Sequence, residues 1–250
     1  MENNSNNNES ISLNKYISNT GRCSRRAADE LIEEGRVKIN GTVAKKGNRV
    51  ESTDKVTIDD APIGKKPKPV YLAFNKPVGI ECTTNEKVEG NIISYINFSE
   101  RIFPIGRLDK NSSGLILLTN DGNIVNKILR SANKHEKEYI VSVNKPITDE
   151  FIQKMGSGLP ILGTYTKKCK VVKLSKSMFK IILVQGLNRQ IRRMCELLDY
   201  RVVKLKRIRV MSIKLEDLNE GKYRKLRSNE LDEIFKSTER SISNYGERKD

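Results

Sequence analysis

The sequence predicts an α+β fold built on a central, mostly antiparallel sheet, and three observations carry that expectation. Short apolar runs with strand-like alternation recur along the chain, whereas helical patterns are few. A Pro- and Lys-rich segment, Ala61-Pro62-Ile63-Gly64-Lys65-Lys66-Pro67-Lys68-Pro69, separates a small N-terminal block from a larger one. At 250 residues the chain can hold one large domain or a small one joined to a medium one, and no repeat of fixed period stands out.

Taken in order, residues 1–10 are polar and of low complexity, so they read as a disordered tail. Leu13, Tyr16 and Ile17 then recur at helical spacing up to Gly21. Ser24 is an N-cap candidate for a second helix, with Ala27, Ala28, Leu31 and Ile32 on its inner face and Gly35 closing it. Val37 and Ile39 alternate around Lys38, Asn40-Gly41 is a strong hairpin signal before Val43, and Val50, Val56 and Ile58 supply further strands. This block is taken as residues 11–61 and the linker as 62–69.

The larger block, 70–235, opens on the apolar run 70–74, ended by the turn Asn75-Lys76-Pro77-Val78-Gly79. Ile92, Ile93 and Ile96 suggest a short helix. Residues 115–119 read as a buried strand, after which Asp121 can cap a helix through Ile124, Val125, Ile128 and Leu129. Residues 138–143 alternate as a strand, Thr148 opens a helix with Asp149 and Glu150 in its first turn, and strands follow at 166–172 and 179–184. Ile191, Met194, Cys195 and Leu198 fit the buried face of another helix, which sets Arg189, Arg192 and Arg193 on its opposite flank. Cations near a helix N-terminus are repelled by its dipole. Either these three are simply solvated, or an anionic ligand or a buried carboxylate offsets the repulsion. Residues 236–250 are again polar and read as a frayed tail.

Charge narrows the function. Lys and Arg number 47 against 31 Asp and Glu, a formal charge of +16, which points to a polyanionic partner, nucleic acid before a membrane surface. No run of about 18 apolar residues could span a bilayer, and the first ten residues lack a basic-then-apolar leader, so a cytoplasmic protein is expected. Cys23, Cys82, Cys169 and Cys195 lie far apart and read as reduced and separately packed. The single histidine, His135, excludes chemistry that needs two imidazoles and reads as a surface residue. Asp, Tyr, Lys and Arg are left to carry catalysis.

One stretch stands out: Gly106-Arg107-Leu108-Asp109-Lys110-Asn111-Ser112-Ser113-Gly114, running into Leu115-Ile116-Leu117-Leu118-Thr119 and Asn120-Asp121-Gly122. An aspartate in a surface loop is most often just solvated. Here, however, the loop is held between two glycines ahead of a buried strand, where chemistry is commonly placed. Arg107 and Lys110 would favour the ionised form of Asp109 and offer phosphate contacts. This pattern resembles the catalytic signature of the RsuA/RluB/RluE/RluF family of ribosomal RNA pseudouridine synthases. The resemblance implies that Asp109 is the catalytic residue, that a uridine is detached from its ribose, rotated and rejoined through carbon, and that no cofactor or metal takes part. It leaves open whether Asp109 attacks the sugar or assists another step.

Two further motifs extend the resemblance. Lys137-Glu138-Tyr139 matches the element carrying the family's active-site tyrosine, although spacing alone would make Tyr139 a core residue. Asn188-Arg189-Gln190-Ile191-Arg192-Arg193-Met194 matches the motif in which one arginine, here Arg192, pairs with the aspartate. Arg107 would fill the gap left by a flipped base or hold a phosphate. Motifs at 185–196 and 160–170 look closest to the RluF branch, which acts on large-subunit ribosomal RNA. In the N-terminal block, Cys23-Ser24-Arg25-Arg26 and Gly35-Arg36-Val37-Lys38-Ile39-Asn40-Gly41 resemble the alpha-L, or S-four type, RNA-binding domain.

The expected whole is thus a pseudouridine synthase fold preceded by a small alpha-L domain, a monomer acting on large-subunit ribosomal RNA with no membrane partner. The expected RNA contacts are Arg22, Arg25, Arg26, Lys38 and Asn40 in the small domain. In the large one they are Lys76, Lys110, Arg189, Arg193, Lys206 and Arg207, the last four within the densest basic stretch, 186–211, which carries eight Lys and Arg against two acids. Rival readings are a non-catalytic ribosome-assembly factor, the same activity on small-subunit or transfer RNA, a nuclease, or a methyltransferase. The shortage of histidine and paired carboxylates weakens the nuclease, and the want of a glycine-rich cofactor loop weakens the methyltransferase.

Overall fold

The computed structural model describes residues 10–239. The chain divides into two compact units, one running to Pro69 and taking in Ser99–Arg101, the other made of Val70–Phe98 and the chain from Ile102 onward. All but the ends of the tails expected at 1–10 and 236–250 lies outside the described residues.

The first unit is built from β1 (Ile11–Ser12), α1 (Leu13–Asn19), α2 (Arg25–Glu33), β2 (Val37–Ile39), β3 (Thr42–Val43), β4 (Arg49–Val50), β5 (Val56–Ile58) and β6 (Ala61–Pro62). The Ser24 hydroxyl accepts from the Ala27 amide at 3.1 Å, supplying the predicted cap of α2. Asn40 and Gly41 both take positive φ, 51° and 82°, as a two-residue turn between β2 and β3 requires. The helices bury Leu13, Ile17, Ala28 and Ile32 with Val37, Val50, Val56 and Ile58 of the strands. β6 pairs with β5 and Ile63 packs on the same core, so the sheet continues past the boundary expected at residue 61 into the segment read as linker.

The second unit follows with β7 (Tyr71–Lys76), α3 (Ile92–Ile96), β8 (Phe103–Ile105), β9 (Ser113–Thr119), α4 (Gly122–Leu129), β10 (Lys137–Val143), α5 (Asp149–Ser157), β11 (Pro160–Ile161) and β12 (Thr164–Tyr165). It continues with β13 (Lys170–Ser175), β14 (Met178–Leu183), α6 (Gln190–Leu197), β15 (Val202–Val210), β16 (Ile213–Lys214), β17 (Tyr223–Lys225) and α7 (Ser228–Thr238). A nine-stranded sheet runs in the order β13-β14-β10-β15-β9-β7-β17, with β8 and β16 attached to β9 and β15. β7 and β9 are buried on both faces, because Leu115 and Leu117 enter one core with Ala73 and Ile128 while Ile116 and Leu118 enter another with Phe74 and Ile92. A third core gathers Val141, Phe179, Ile181 and Leu205 of the sheet under Phe151 and Met155 of α5 and Ile191 and Met194 of α6.

Two elements differ from expectation. The strand expected at 166–172 begins only at Lys170, because Thr166 turns inward and its hydroxyl accepts from the Leu159 amide at 2.9 Å, closing a separate small hairpin of β11 and β12. Helix α7 runs to Thr238, whose buried hydroxyl donates to the Ile234 carbonyl, past the boundary expected at 235.

The sheet is antiparallel except where β9 meets β15, pairing Ser113 with Lys206 and Gly114 with Arg207 in parallel. Gly114 has φ 102°, and a Cβ there would lie 2.2 Å from the Arg207 carbonyl oxygen. Only glycine permits this approach. Gly114→Ala is therefore expected to lower the unfolding free energy by about 3 kcal/mol, since neither backbone can yield without breaking the ladder; urea unfolding measures it.

Candidate active site

The loop from β8 to β9 carries Asp109, and its backbone is held from several sides. The Leu108 amide donates to the Cys82 thiol at 3.4 Å, and the Ser112 amide donates to the Asp109 carbonyl at 3.0 Å. The Lys110 carbonyl accepts from the Gly79 amide at 2.9 Å and from the Lys76 ammonium at 3.4 Å. Lys76 is fully buried, and its Nζ also donates to the carbonyls of Pro77 at 2.7 Å and Ile80 at 2.8 Å. Burial pushes its pKa down. The expectation that Lys76 contacts RNA is corrected: it ends an apolar strand whose side chains all face inward, and it ties the 77–80 turn to the Asp109 loop.

From α6, Arg192 reaches the same loop. Its Nη2 donates to the Asn111 carbonyl at 2.7 Å and the Ser112 hydroxyl at 3.1 Å, while its Nε lies 3.5 Å from Oδ2 of Asp109. That last approach is an ion-pair contact without a hydrogen bond, for Nε is buried and has no hydrogen-bond partner. Arg192 is 8% exposed, whereas the Asp109 side chain keeps 31% of its surface open.

The open side of Asp109 faces a cleft of about 120 Å³ lined by Arg107, Asp109, Tyr139, Gln185 and Arg189 over an apolar floor of Leu183, Leu187, Ile191 and Leu205. Asp109, Tyr139 and Arg107 thus share one cavity, with Arg192 behind the carboxylate. An apolar floor, one aromatic ring, one carboxylate and cations at the rim suit a flat heterocycle attached to a phosphate.

The three arginines of the 188–194 motif do not crowd one flank. Arg189 stands exposed before the helix with φ 50°, Arg192 turns inward, and Arg193 folds back to donate to the Asn188 carbonyl at 3.1 Å and its side-chain oxygen at 3.3 Å. The reason is that α6 begins only at Gln190, and oxygens of the Asp109 loop compensate the one cation taken inside. Arg207 is also corrected as an RNA contact. It is 4% exposed, it donates from Nε to the Leu115 carbonyl at 2.6 Å, and its buried Nη2 is unpartnered. Lys206 alternates away from it into a separate groove with Glu138, Ile208 and Arg209. Lys110 is exposed, 4.0 Å from Glu81.

In the first unit Arg22, Arg25 and Arg26 are exposed and form no ion pair among the described residues. Lys38 pairs with Asp60 at 2.6 Å. The Asn40 amide donates to Asp54 at 2.8 Å and its oxygen accepts from the Lys55 amide at 2.9 Å, so this side chain is engaged within its own hairpin.

Sequence reasoning missed Gln185 and Gln190 at the cleft and the burial of Lys137. Lys137 is 7% exposed, donates to the His135 carbonyl at 3.0 Å, and has its pKa pushed down to about 8 by burial and by nearby Arg207. A signal existed: it stands two residues before Tyr139 and so shares its face of β10. Among the described residues, no group of three or more His, Cys, Asp or Glu is placed to hold a metal ion, the four cysteines are unpaired, and no helix is long and apolar enough to cross a membrane.

Residues 70–197 match the RNA pseudouridylate synthase family and residues 12–56 the S4 domain. The chain is 55% identical to the dual-specificity RNA pseudouridine synthase RluF of Salmonella typhi, over 94% of this chain and 82% of that one. It is 33% identical to the ribosomal large subunit pseudouridine synthase B of Bacillus subtilis, over 94% and 97%. A crystal structure of a pseudouridylate synthase superposes with a TM-score of 0.67 at 27% identity, covering 90% of this chain and 99% of the other.

Two variants probe the buried cations. Lys76→Met should cut turnover by about ten-fold or more, because the Lys110 carbonyl loses an anchor, while the RNA Kd measured by filter binding moves little. For Lys137 the sign follows from its depressed pKa. Below about pH 8 folded and unfolded states both hold the proton and only the folded one suffers its desolvation; from there up to the ordinary value of 10.5 the folded state sheds it first, so stability rises. The unfolding free energy of Lys137→Met relative to the parent should therefore be most favourable near neutral pH and lose up to about 3 kcal/mol of that advantage by about pH 10.5, read by urea titration.

Proposed function

The chain belongs to the RNA pseudouridylate synthase family with an S4 domain ahead of the synthase domain, and on that footing we propose that it isomerises a uridine of large-subunit ribosomal RNA with Asp109 as nucleophile. The activity itself, RNA pseudouridine synthesis, comes with the family and with relatives more than half identical over most of the chain. In pseudouridine synthesis the N1–C1′ bond of the target breaks, a C5–C1′ bond forms, a proton leaves C5 and one is taken up at N1. Electrons balance without redox chemistry, so the chain's own residues suffice.

One observation carries the assignment of roles: a partly open carboxylate with a guanidinium 3.5 Å behind it and a tyrosine in the same cleft. Arg192 sets a positive charge behind Asp109 and holds its loop in place through the Asn111 carbonyl and the Ser112 hydroxyl. Tyr139 packs against the extruded uracil and helps remove the C5 proton. Arg107, exposed at the rim, takes a phosphate or the space the base vacated. Arg189, Lys110 and Arg193 extend the cationic rim, and Arg22, Arg25 and Arg26 of the first unit bind structured RNA. The relative named as large-subunit synthase supports the substrate class. The dual specificity named in the Salmonella typhi relative favours a second RNA substrate, transfer RNA or small-subunit RNA.

Release of tritium from RNA labelled at uridine C5 is the test. The parent should release it, Asp109→Ala should fall to background with RNA affinity kept, and Arg192→Lys should retain no more than about a hundredth of the rate, since an ammonium cannot reach two loop oxygens and the carboxylate together. Persisting release from Asp109→Ala would remove it from the reaction. Pseudouridine mapping in cells with and without the protein identifies the target.

A further inference from the structure

Resting on that reading, we propose that the hairpin of β11 and β12 is a stacking platform for an unpaired base of the RNA flanking the target. Tyr165 is the residue on which the base lies, and Lys168 and Lys170 take the adjoining phosphates.

The hairpin ends in an apolar tip that no described residue covers. Tyr165 is 73% exposed and Leu162, at the turn, 51% exposed. Such exposure is ordinary for a floppy loop, but this hairpin is fixed. Its turn residues Leu162 and Gly163 take φ 53° and 70°, the two successive positive values that match the twist of a tight hairpin. Ile161 is buried in the core that holds Ile191 of α6. At its foot the Thr166 amide donates to the Leu159 carbonyl and the Leu159 amide to the Thr166 hydroxyl, both at 2.9 Å. A ring carried on a fixed backbone leaves only its own side-chain freedom to lose on meeting a flat partner.

Position and charge identify that partner. The Lys167 amide donates to the side-chain oxygen of Gln185 at 2.6 Å, and Gln185 lines the Asp109 cleft, so the hairpin is tied to the cleft rim. From residue 151 to 195 the chain carries ten Lys and Arg and no Asp or Glu. Lys168 and Lys170 are exposed and form no ion pair among the described residues. A protein partner would need acidic residues to face this stretch and an apolar surface for the tip. An RNA strand leaving the cleft supplies both, phosphates for the lysines and a base face for the ring.

The test uses the full chain and a fluorescein-labelled single-stranded oligouridine, with a duplex of the same length as control. Tyr165→Ala should weaken single-strand binding by about ten-fold, in the range one stacked base is worth, and Tyr165→Phe should bind within about two-fold of the parent. With ribosomal RNA as substrate Tyr165→Ala should raise KM and leave kcat within about two-fold, because the ring lies outside the cleft. Lys168→Ala with Lys170→Ala should flatten the salt dependence of binding. Thermal unfolding of Tyr165→Ala should match the parent, the side chain being mostly in solvent. Single-strand binding by Tyr165→Ala equal to the parent's overturns the proposal and hands the tip to a protein partner; an equal loss in Tyr165→Phe overturns stacking in favour of the hydroxyl. If instead the parent releases no tritium, the enzymatic reading fails while the binding comparison still decides the hairpin.

Discussion

The path of the backbone from Gly106 to Gly114 is the constraint on which the site depends. A carboxylate that faces an open cleft would ordinarily drift with its loop, and loops drift because their polar backbone groups can exchange protein partners for water. Here those exchanges are blocked. The Leu108 amide, the Lys110 carbonyl, the Asn111 carbonyl and the Ser112 hydroxyl each have a partner from outside the loop. Gly114 then fixes the exit, locked against Arg207 at the one parallel junction of the sheet. Strand β9 leaves that junction buried on both faces, so it cannot slide without moving two cores.

A second constraint follows from the cations. Lys76, Lys137, Arg192 and Arg207 are all buried, and among the described residues only Arg192 has a carboxylate within ion-pair distance. Burying a charge without a counter-charge is costly, and backbone carbonyls offset only part of it. A sequence shaped for stability alone would place neutral residues at these positions. Their effect is to make the interior around the cleft positive before any ligand arrives, which favours a phosphate-bearing substrate. The cleft thereby gains an electrostatic bias that does not rest on flexible surface lysines.

Much of this was legible in the sequence, for reasons that differ by element. Caps at Ser24, Asp121 and Thr148 and the Asn40-Gly41 turn are local, so three or four residues are enough to read them. The inward face of α6 is a periodicity and is equally local. Which way a long cation points is not. Lys76, Arg192 and Arg207 look alike in sequence to the exposed Lys110, Arg189 and Lys206, and only the tertiary positions of carbonyls far along the chain separate them. The hairpin at Pro160–Tyr165 was missed because Thr166 reads as a strand residue, yet its hydroxyl closes the hairpin base instead. Spacing alone would make Tyr139 a core residue; in the structure it borders two cores and lines the cavity as well.

The pairing of Asp109 with Arg192 divides two duties that are usually joined. A carboxylate held by charge-assisted hydrogen bonds has its lone pairs occupied and its basicity lowered, which makes it well placed but a poor attacker. Arg192 directs the hydrogen bonds of Nη2 at the Asn111 carbonyl and the Ser112 hydroxyl, and only its charge, through Nε at 3.5 Å, at the carboxylate. Position is thus enforced on the backbone while the oxygens of Asp109 stay free of that guanidinium's protons. Such an arrangement suits an aspartate that is fixed in place with its oxygens still open to the cleft, and it explains why the arginine is buried while the carboxylate it faces is not.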